Sequence, residues 1–255
     1  MDKEEFKKIV DNPNFIQGIF NYCDRWCERC HMTHKCSLYA TEKESIGDEE
    51  IDMQNEKFWE HLSDMFRITR ELIEESAEKW GIDLDSIDLD EENTEYEELH
   101  EKTEKHSLSI LGKEYTQKAR QWHDSSEVIL QAKEDEYNKN LELGIEDKEI
   151  KELIDVLEVV RWYQYQVHIK VNRALHGKLD SFEEDDEFPK DSDGSAKVAL
   201  IGMDRSIAAW GKLLEYFPEN EDKTLELLVI LEKLRRQVEK EFPEARAFVR
   251  VGFDE

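Results

Sequence analysis

All four cysteines of the 255-residue chain fall within fourteen residues, Cys23-Asp-Arg-Trp-Cys27-Glu-Arg-Cys30-His-Met-Thr-His-Lys-Cys36. Scattered structural thiols would rarely concentrate in this way. Four thiolates are a complete ligand set for a zinc ion or for an iron-sulfur cluster. Residues 14–40 carry Asp24 and Glu28 against Arg25, Arg29 and Lys35, a balance of +1 in a chain whose net charge is −28. Local positive charge favours the thiolate and offsets the charge of a thiolate-ligated centre. The apolar spacing of Ile16, Ile19, Phe20, Cys23, Cys27 and Cys30 suggests a helix over about 14–30 with these residues on one face. Such a helix would separate Cys23 and Cys30 by about 10.5 Å along its axis. Zinc-bound sulfurs stand only about 3.8 Å apart, so the helix would have to break for zinc. A 4Fe-4S cubane is wider and is the favoured centre, with a structural four-cysteine zinc as the alternative. His31 and His34 are candidate substitutes for a cysteine ligand.

Two short resemblances bear on the metal. Cys23-x3-Cys27-x2-Cys30 resembles the radical S-adenosylmethionine motif. That motif leaves one iron open and follows a strand of an α/β barrel. A fourth nearby cysteine and the lack of strand–helix alternation set this chain apart from it. Cys27-x2-Cys30-x5-Cys36 is similar to the cluster loop of endonuclease III-type DNA glycosylases, which carry a 4Fe-4S cluster. Their first spacing is x6 where this chain has x3. The similarity covers about ten residues and implies the type of cluster rather than the enzyme.

Composition narrows the rest. Asp and Glu number 63 against 35 Lys and Arg. That excess argues against a nucleic-acid backbone or an anionic membrane surface as partner, since both need a basic footprint, and suits docking to a basic protein. The chain contains no apolar run of about 20 residues and starts with no apolar leader. The expected compartment is therefore the cytoplasm, where clustered cysteines are metal ligands or thiols rather than disulfides.

The elements that must hold the motif read as helices throughout, and the expected fold class is all-α. Glycine (10) and proline (4) are scarce, and neither a phosphate loop nor a nucleophile elbow is present. Helices are expected over about 2–10, 14–30, 49–80, 90–140, 147–176, 195–217 and 221–241. Phe58, Leu62, Met65, Thr69, Leu72, Ile73, Ser76 and Trp80 should face inward from the third. The tail 244–255 carries no readable element. Residues 81–105 and 178–194 read as acidic linkers. Asp191-x-Asp193-Gly194 repeats part of a calcium loop without its terminal glutamate. The domain reading is a Cys-rich metal-binding segment, 1–45, packed on an acidic bundle of four to five long helices, 46–255.

That bundle offers a second candidate site. In the 147–176 helix, Arg161, Gln164 and His168 project onto the strongest apolar face, with Glu158, Tyr165 and Asn172 beside them. Buried polar groups need partners, and Asp204 or Glu114 could pair with Arg161. Glu158, Arg161, Gln164, Tyr165, His168 and Asp204 thus form a candidate polar pocket, either functional or a register-fixing network. Carboxylate-rich helices also invite a ferritin-like di-metal site, for which Glu114, Glu158, His168 and Asp204 are the candidate members. The functional expectations are a redox or electron-transfer iron-sulfur protein, a zinc-stapled acidic adaptor, or a di-metal carboxylate oxidase or metal-handling bundle.

Overall fold

The computed structural model describes residues 2–46, 56–86, 89–144, 148–180 and 191–254, and every regular element among them is helical. The α-helices of these described residues run in order: α1 (Lys3–Val10), α2 (Ser37–Ile46), α3 (Glu56–Trp80), α4 (Leu89–Lys105), α5 (Ser107–Glu142), α6 (Lys148–Leu179), α7 (Asp191–Tyr216) and α8 (Glu221–Glu241). Among the described residues no helix is long and apolar enough to cross a membrane. The chain divides into two compact units, Met1–Glu95 with Val249–Glu255, and Tyr96–Phe248. The expected 45/46 boundary falls at the end of α2, within the first unit.

In the first unit, α1 is opened by a capping box in which Asp2 accepts from the Glu5 N–H and Glu5 accepts from the Asp2 N–H. The expected helix over 14–30 does not form. Residues 11–26 are turns, followed by short 3₁₀ turns at Cys27–Arg29 and Thr33–Lys35. Side chains here compete for the backbone: Asn12 Oδ1 accepts from the Asn14 N–H at 3.0 Å and Asp24 Oδ1 from the Trp26 N–H at 3.3 Å. Gly18 (φ 73°) and Arg25 (φ 59°) adopt the left-handed conformation that no α-helix contains. Helix α2, which the periodicity does not announce, comes directly after the second 3₁₀ turn. Helix α3 ends in a Schellman motif on Gly81, whose N–H donates to Glu78 O while that of Ile82 donates to Ala77 O. Ile68 and Ala77 are its buried apolar residues, whereas Ile73 and Trp80, expected inward, are more than half exposed. The part of that helix expected over 49–55 lies outside the described residues.

In the second unit, the helix expected over 90–140 is two helices. The backbone of His106 turns to an extended conformation, and its Nδ1 accepts from the Leu108 N–H at 3.3 Å, capping α5. Helix α5 packs on α6 and α8, and α7 packs on the same two. Trp122 Nε1 donates to Thr224 Oγ1 at 3.0 Å, Asn220 Nδ2 to Ser126 Oγ at 3.0 Å and Trp210 Nε1 to the Tyr115 hydroxyl at 3.2 Å. Tyr115, Trp122, Leu157, Tyr163, Leu200, Met203, Trp210 and Leu213 are almost fully buried. Small residues on α7 let it approach α6 closely: a Cβ on Gly202 would stand 2.9 Å from the Tyr163 ring. Helix α7 begins at Asp191, which binds Arg173 at 2.8 Å, so Asp191-x-Asp193-Gly194 is a helical first turn and not a calcium loop.

Candidate metal centre

Short-range turn chemistry brings the cysteines together. A 3₁₀ turn eclipses residues three apart, and the turn over Cys27–Arg29, closed by the Cys30 N–H on Cys27 O at 3.1 Å, places Cys27 and Cys30 on one side. The next turn ends at Cys36, which stands at the entrance to α2. The chain is drawn back on itself where the Ile16 N–H donates to Lys35 O at 3.0 Å. The result is one small cavity of about 30 Å³ lined by Cys23, Cys27, Cys30 and Cys36 together with Ile19, Phe20, Trp26, Met32, Tyr39 and Phe253.

The sulfurs do not share one environment. Cys36 Sγ accepts from the Tyr39 N–H at 3.5 Å, the position of a helix N-cap acceptor. Cys30 Sγ accepts from the Met32 N–H at 3.4 Å. Hydrogen bonds of this kind tune the potential of thiolate-held clusters. Cys23 donates to Phe20 O at 3.4 Å. Burial, and then the charge of Glu42, push the Cys27 thiol up to about 11. A metal must therefore displace its proton on binding. Arg25 works against that shift, has a left-handed backbone (φ 59°) and forms a 2.7 Å ion pair to Glu42. Arg29 stacks over Trp26 at 4.3 Å.

The C-terminal residues close the cavity. Phe253 lines it and meets His31 edge-on at 6.1 Å. Arg250 binds Asp254 through both its backbone N–H and its guanidinium, and stands over the Phe253 ring at 5.1 Å. Gly252 has φ 77°, and a Cβ there would stand 2.9 Å from Ile19 Cδ1, so this turn needs glycine. The sequence pattern assigns no role to this segment. Its local signals are Gly252 and the Arg250/Asp254 spacing. His31 and His34 do not line the cavity.

Among the described residues, no three Cys, His, Asp or Glu side chains already stand as a preformed metal-ion site. The four thiols share a cavity without being drawn to the spacing of a single ion. In donor type, apolar enclosure and N–H groups directed at sulfur, the residues fit a thiolate-ligated centre.

Of the six residues expected to form a polar pocket in the second unit, three share one groove, and Glu158, His168 and Asp204 do not line it. Arg161, Gln164 and Tyr165 line an open groove between α5 and α6 with Arg120, His123, Asp124, Glu127 and Glu134. Arg161 is exposed and pairs with Glu134 at 2.7 Å, not with Asp204 or Glu114. His168 lies against the α5 backbone at Gly112, whose added Cβ would stand 3.1 Å from its Nδ1. Asn172 Nδ2 donates to Glu104 at 2.8 Å and stands 3.4 Å from His168 Nε2. Burial lowers the His168 pKa. Asp204 accepts from Arg235 at 3.1 Å and Arg246 at 2.6 Å, and Glu114 and Glu158 are exposed. Helix α6 packs against α5 and α7, and a third sector of its surface holds Tyr165 and Ile169 in solvent. The residue missed is His123, packed against Trp122 and Trp210, with neither ring nitrogen hydrogen-bonded to any described residue. Burial, and then the charge of Arg161, lower it to about 4.

Comparison of the chain with protein-family models, with curated proteins and with solved structures returned no match.

Proposed function

We propose that Cys23, Cys27, Cys30 and Cys36 ligate an iron-sulfur cluster of the 4Fe-4S type and that the protein serves a redox or electron-transfer role in the cytoplasm. The observation that carries this reading is that the only four sulfhydryls of the chain line one cavity, enclosed by Phe20, Trp26 and Phe253. The backbone N–H groups on Cys30 and Cys36 stabilise charge on sulfur, as a cluster requires. The cavity of about 30 Å³ admits little more than a water-sized body, so the loop must open to take in a cubane. Turns yield more readily than a helix, so the loop can close on the cluster without breaking a long element.

In this reading the second unit is a four-helix bundle that acts as scaffold, and the −28 charge steers a basic redox partner. A bound cluster would supply reversible one-electron chemistry. The chain's own part is to hold four thiolates, exclude water with aromatic side chains and aim N–H dipoles at sulfur.

Structural zinc is the second reading, favoured by the Cys27-x2-Cys30 turn with its N–H···S bond, a geometry that also suits zinc knuckles. It would make the protein an acidic adaptor. The di-metal carboxylate reading gains nothing from Glu114, Glu158, His168 and Asp204, which lie apart.

The test is iron, zinc and acid-labile sulfide content, with a visible spectrum, on protein purified without oxygen. Iron and sulfide in equal amounts with broad absorption support the cluster. One zinc per chain and no colour overturns it in favour of the adaptor.

A further inference from the structure

Helix α3 carries a second apolar surface that its own unit does not use. Trp59, Phe66, Ile73 and Trp80 recur every seventh residue and are 55%, 69%, 51% and 70% exposed. At 100° per residue they fall within about 60° of one another and form a strip about 31 Å long. The slow drift of a seven-residue repeat around a straight helix is what a left-handed superhelical pair follows. The opposite face is already engaged: Ile68 is buried, and Lys3 and Lys7 of α1 bind Glu75, while on the strip side only the small Ala77 is buried among the described residues.

We propose that this strip pairs with the same strip of a second copy of the chain, with the two α3 helices antiparallel. The area is sufficient. Three aromatics and an isoleucine, each more than half exposed, present roughly 500 Å². Two copies would bury about 1,000 Å² through these side chains, the lower limit for a specific interface, and Leu62, Thr69 and Ser76 would add to it. Residues three beyond the first three members, Leu62, Thr69 and Ser76, form the other half of the seam and become smaller along it. Antiparallel pairing sets Phe66 against Ser76, Ile73 against Thr69 and Trp80 against Leu62 of the second copy, and puts Trp59 opposite position 83, just beyond the end of its α3. Parallel pairing would stack large on large and leave Ser76 and Thr69 facing voids. It would also align the helix dipoles, which antiparallel pairing opposes favourably. The neighbouring cations are already neutralised within the helix, Arg67 by Asp64 at 2.9 Å and Glu71 at 3.2 Å, and Arg70 by Glu74 at 3.2 Å. The net charge of −28 opposes the pairing at long range, and salt should relieve that repulsion.

The experiment is sedimentation equilibrium of the full chain in low and high salt, with Phe66→Ser and Ile73→Ser variants checked by circular dichroism and thermal unfolding. The proposal expects a dimer strengthened by salt. Each substitution should weaken it about 30-fold while leaving monomer helicity and melting unchanged. A photo-crosslinking residue at Leu62 should join the peptide containing Trp80 of the second copy. A chain that stays monomeric overturns the proposal, and so does a dimer indifferent to both substitutions. Monomer melting lowered by the substitutions means that the chain covers its own strip, which also overturns it. Crosslinks from position 62 to position 62 overturn the antiparallel arrangement.

Discussion

The cysteine loop and the outer face of α6 both carry polar and ligand-type residues, yet the loop gathers all four of its thiols in one cavity whereas α6 divides its candidates between a groove and separate contacts. Between Ile19 and Tyr39 no helix longer than a turn forms before α2, and local bonds from Asn, Asp and Cys side chains bend the chain until four sulfurs line one cavity. In α6 the backbone is rigid and advances about 1.5 Å per residue, so Arg161, Gln164 and Tyr165 share one open groove while His168 lies against Gly112 of α5. A site drawn from consecutive residues needs a backbone free to turn. A helix can build a site only with facing helices that supply the other members, and here α5 answers Arg161 with Glu134.

The sharpest way to break this contrast is by substitution at the two regions in parallel. Cys27→Ser or Cys30→Ser should abolish bound metal and colour, whereas Arg161→Ala and His168→Ala should leave metal content unchanged. Iron that survives replacement of all four cysteines would place the centre elsewhere and reverse the comparison.

Acid titration of stability comes next and concerns the second unit. His123 is held at about 4 in the fold against an ordinary value of 6.5. Above pH 6.5 the group is neutral in both states and costs nothing. As the pH falls from 6.5 to 4 the unfolded chain takes up a proton that the folded chain refuses, and stability drops by about 3 kcal/mol. Urea unfolding across that range should show the loss, and His123→Gln should flatten it.

Gly202→Ala should destabilise the second unit by about 1–3 kcal/mol, because its new methyl would meet the Tyr163 ring at 2.9 Å. Thermal melting measures this, and metal content should not respond if the two regions are independent. Phe253→Ala is smaller in energy and acts on the other region: a cluster open at the Phe253 side should bleach several-fold faster in air. Equal bleaching rates would mean that the C-terminal segment shields nothing. Asp204→Asn should have the least effect, at most about 1 kcal/mol, since its ion pairs with Arg235 and Arg246 leave its side chain more than a third exposed. Urea midpoints would show it.

Much of the fold is legible in the sequence because long amphipathic segments declare their period. Helix α8 and the end of α3 at Gly81 fall where the spacing places them. Besides the unannounced α2, three differences between structure and spacing have a local reason. The 14–30 segment has apolar spacing compatible with a helix, but Asn12, Gly18, Asp24 and Arg25 supply turn geometry that outweighs it. The 90–140 segment reads as continuous, yet His106 breaks it and caps a new helix. In α3 the spacing defines an apolar arc without saying which part of it is covered, so Ile73 and Trp80, inward by period, stand in solvent.

The candidate centre rests on residue type and spacing, which the sequence carries outright: four soft donors within fourteen positions. The sequence also determined the all-helical class, since period and scarce glycine are properties of the chain alone. Tertiary structure decided that Phe253, more than two hundred residues away, lines the same cavity. It likewise decided that Glu134 answers Arg161 and that both ring nitrogens of His123 are buried with no hydrogen-bond partner among the described residues. Those outcomes depend on which surfaces meet. Local propensity acts over a few residues, whereas burial and pairing are set by neighbours that only the folded chain brings within reach.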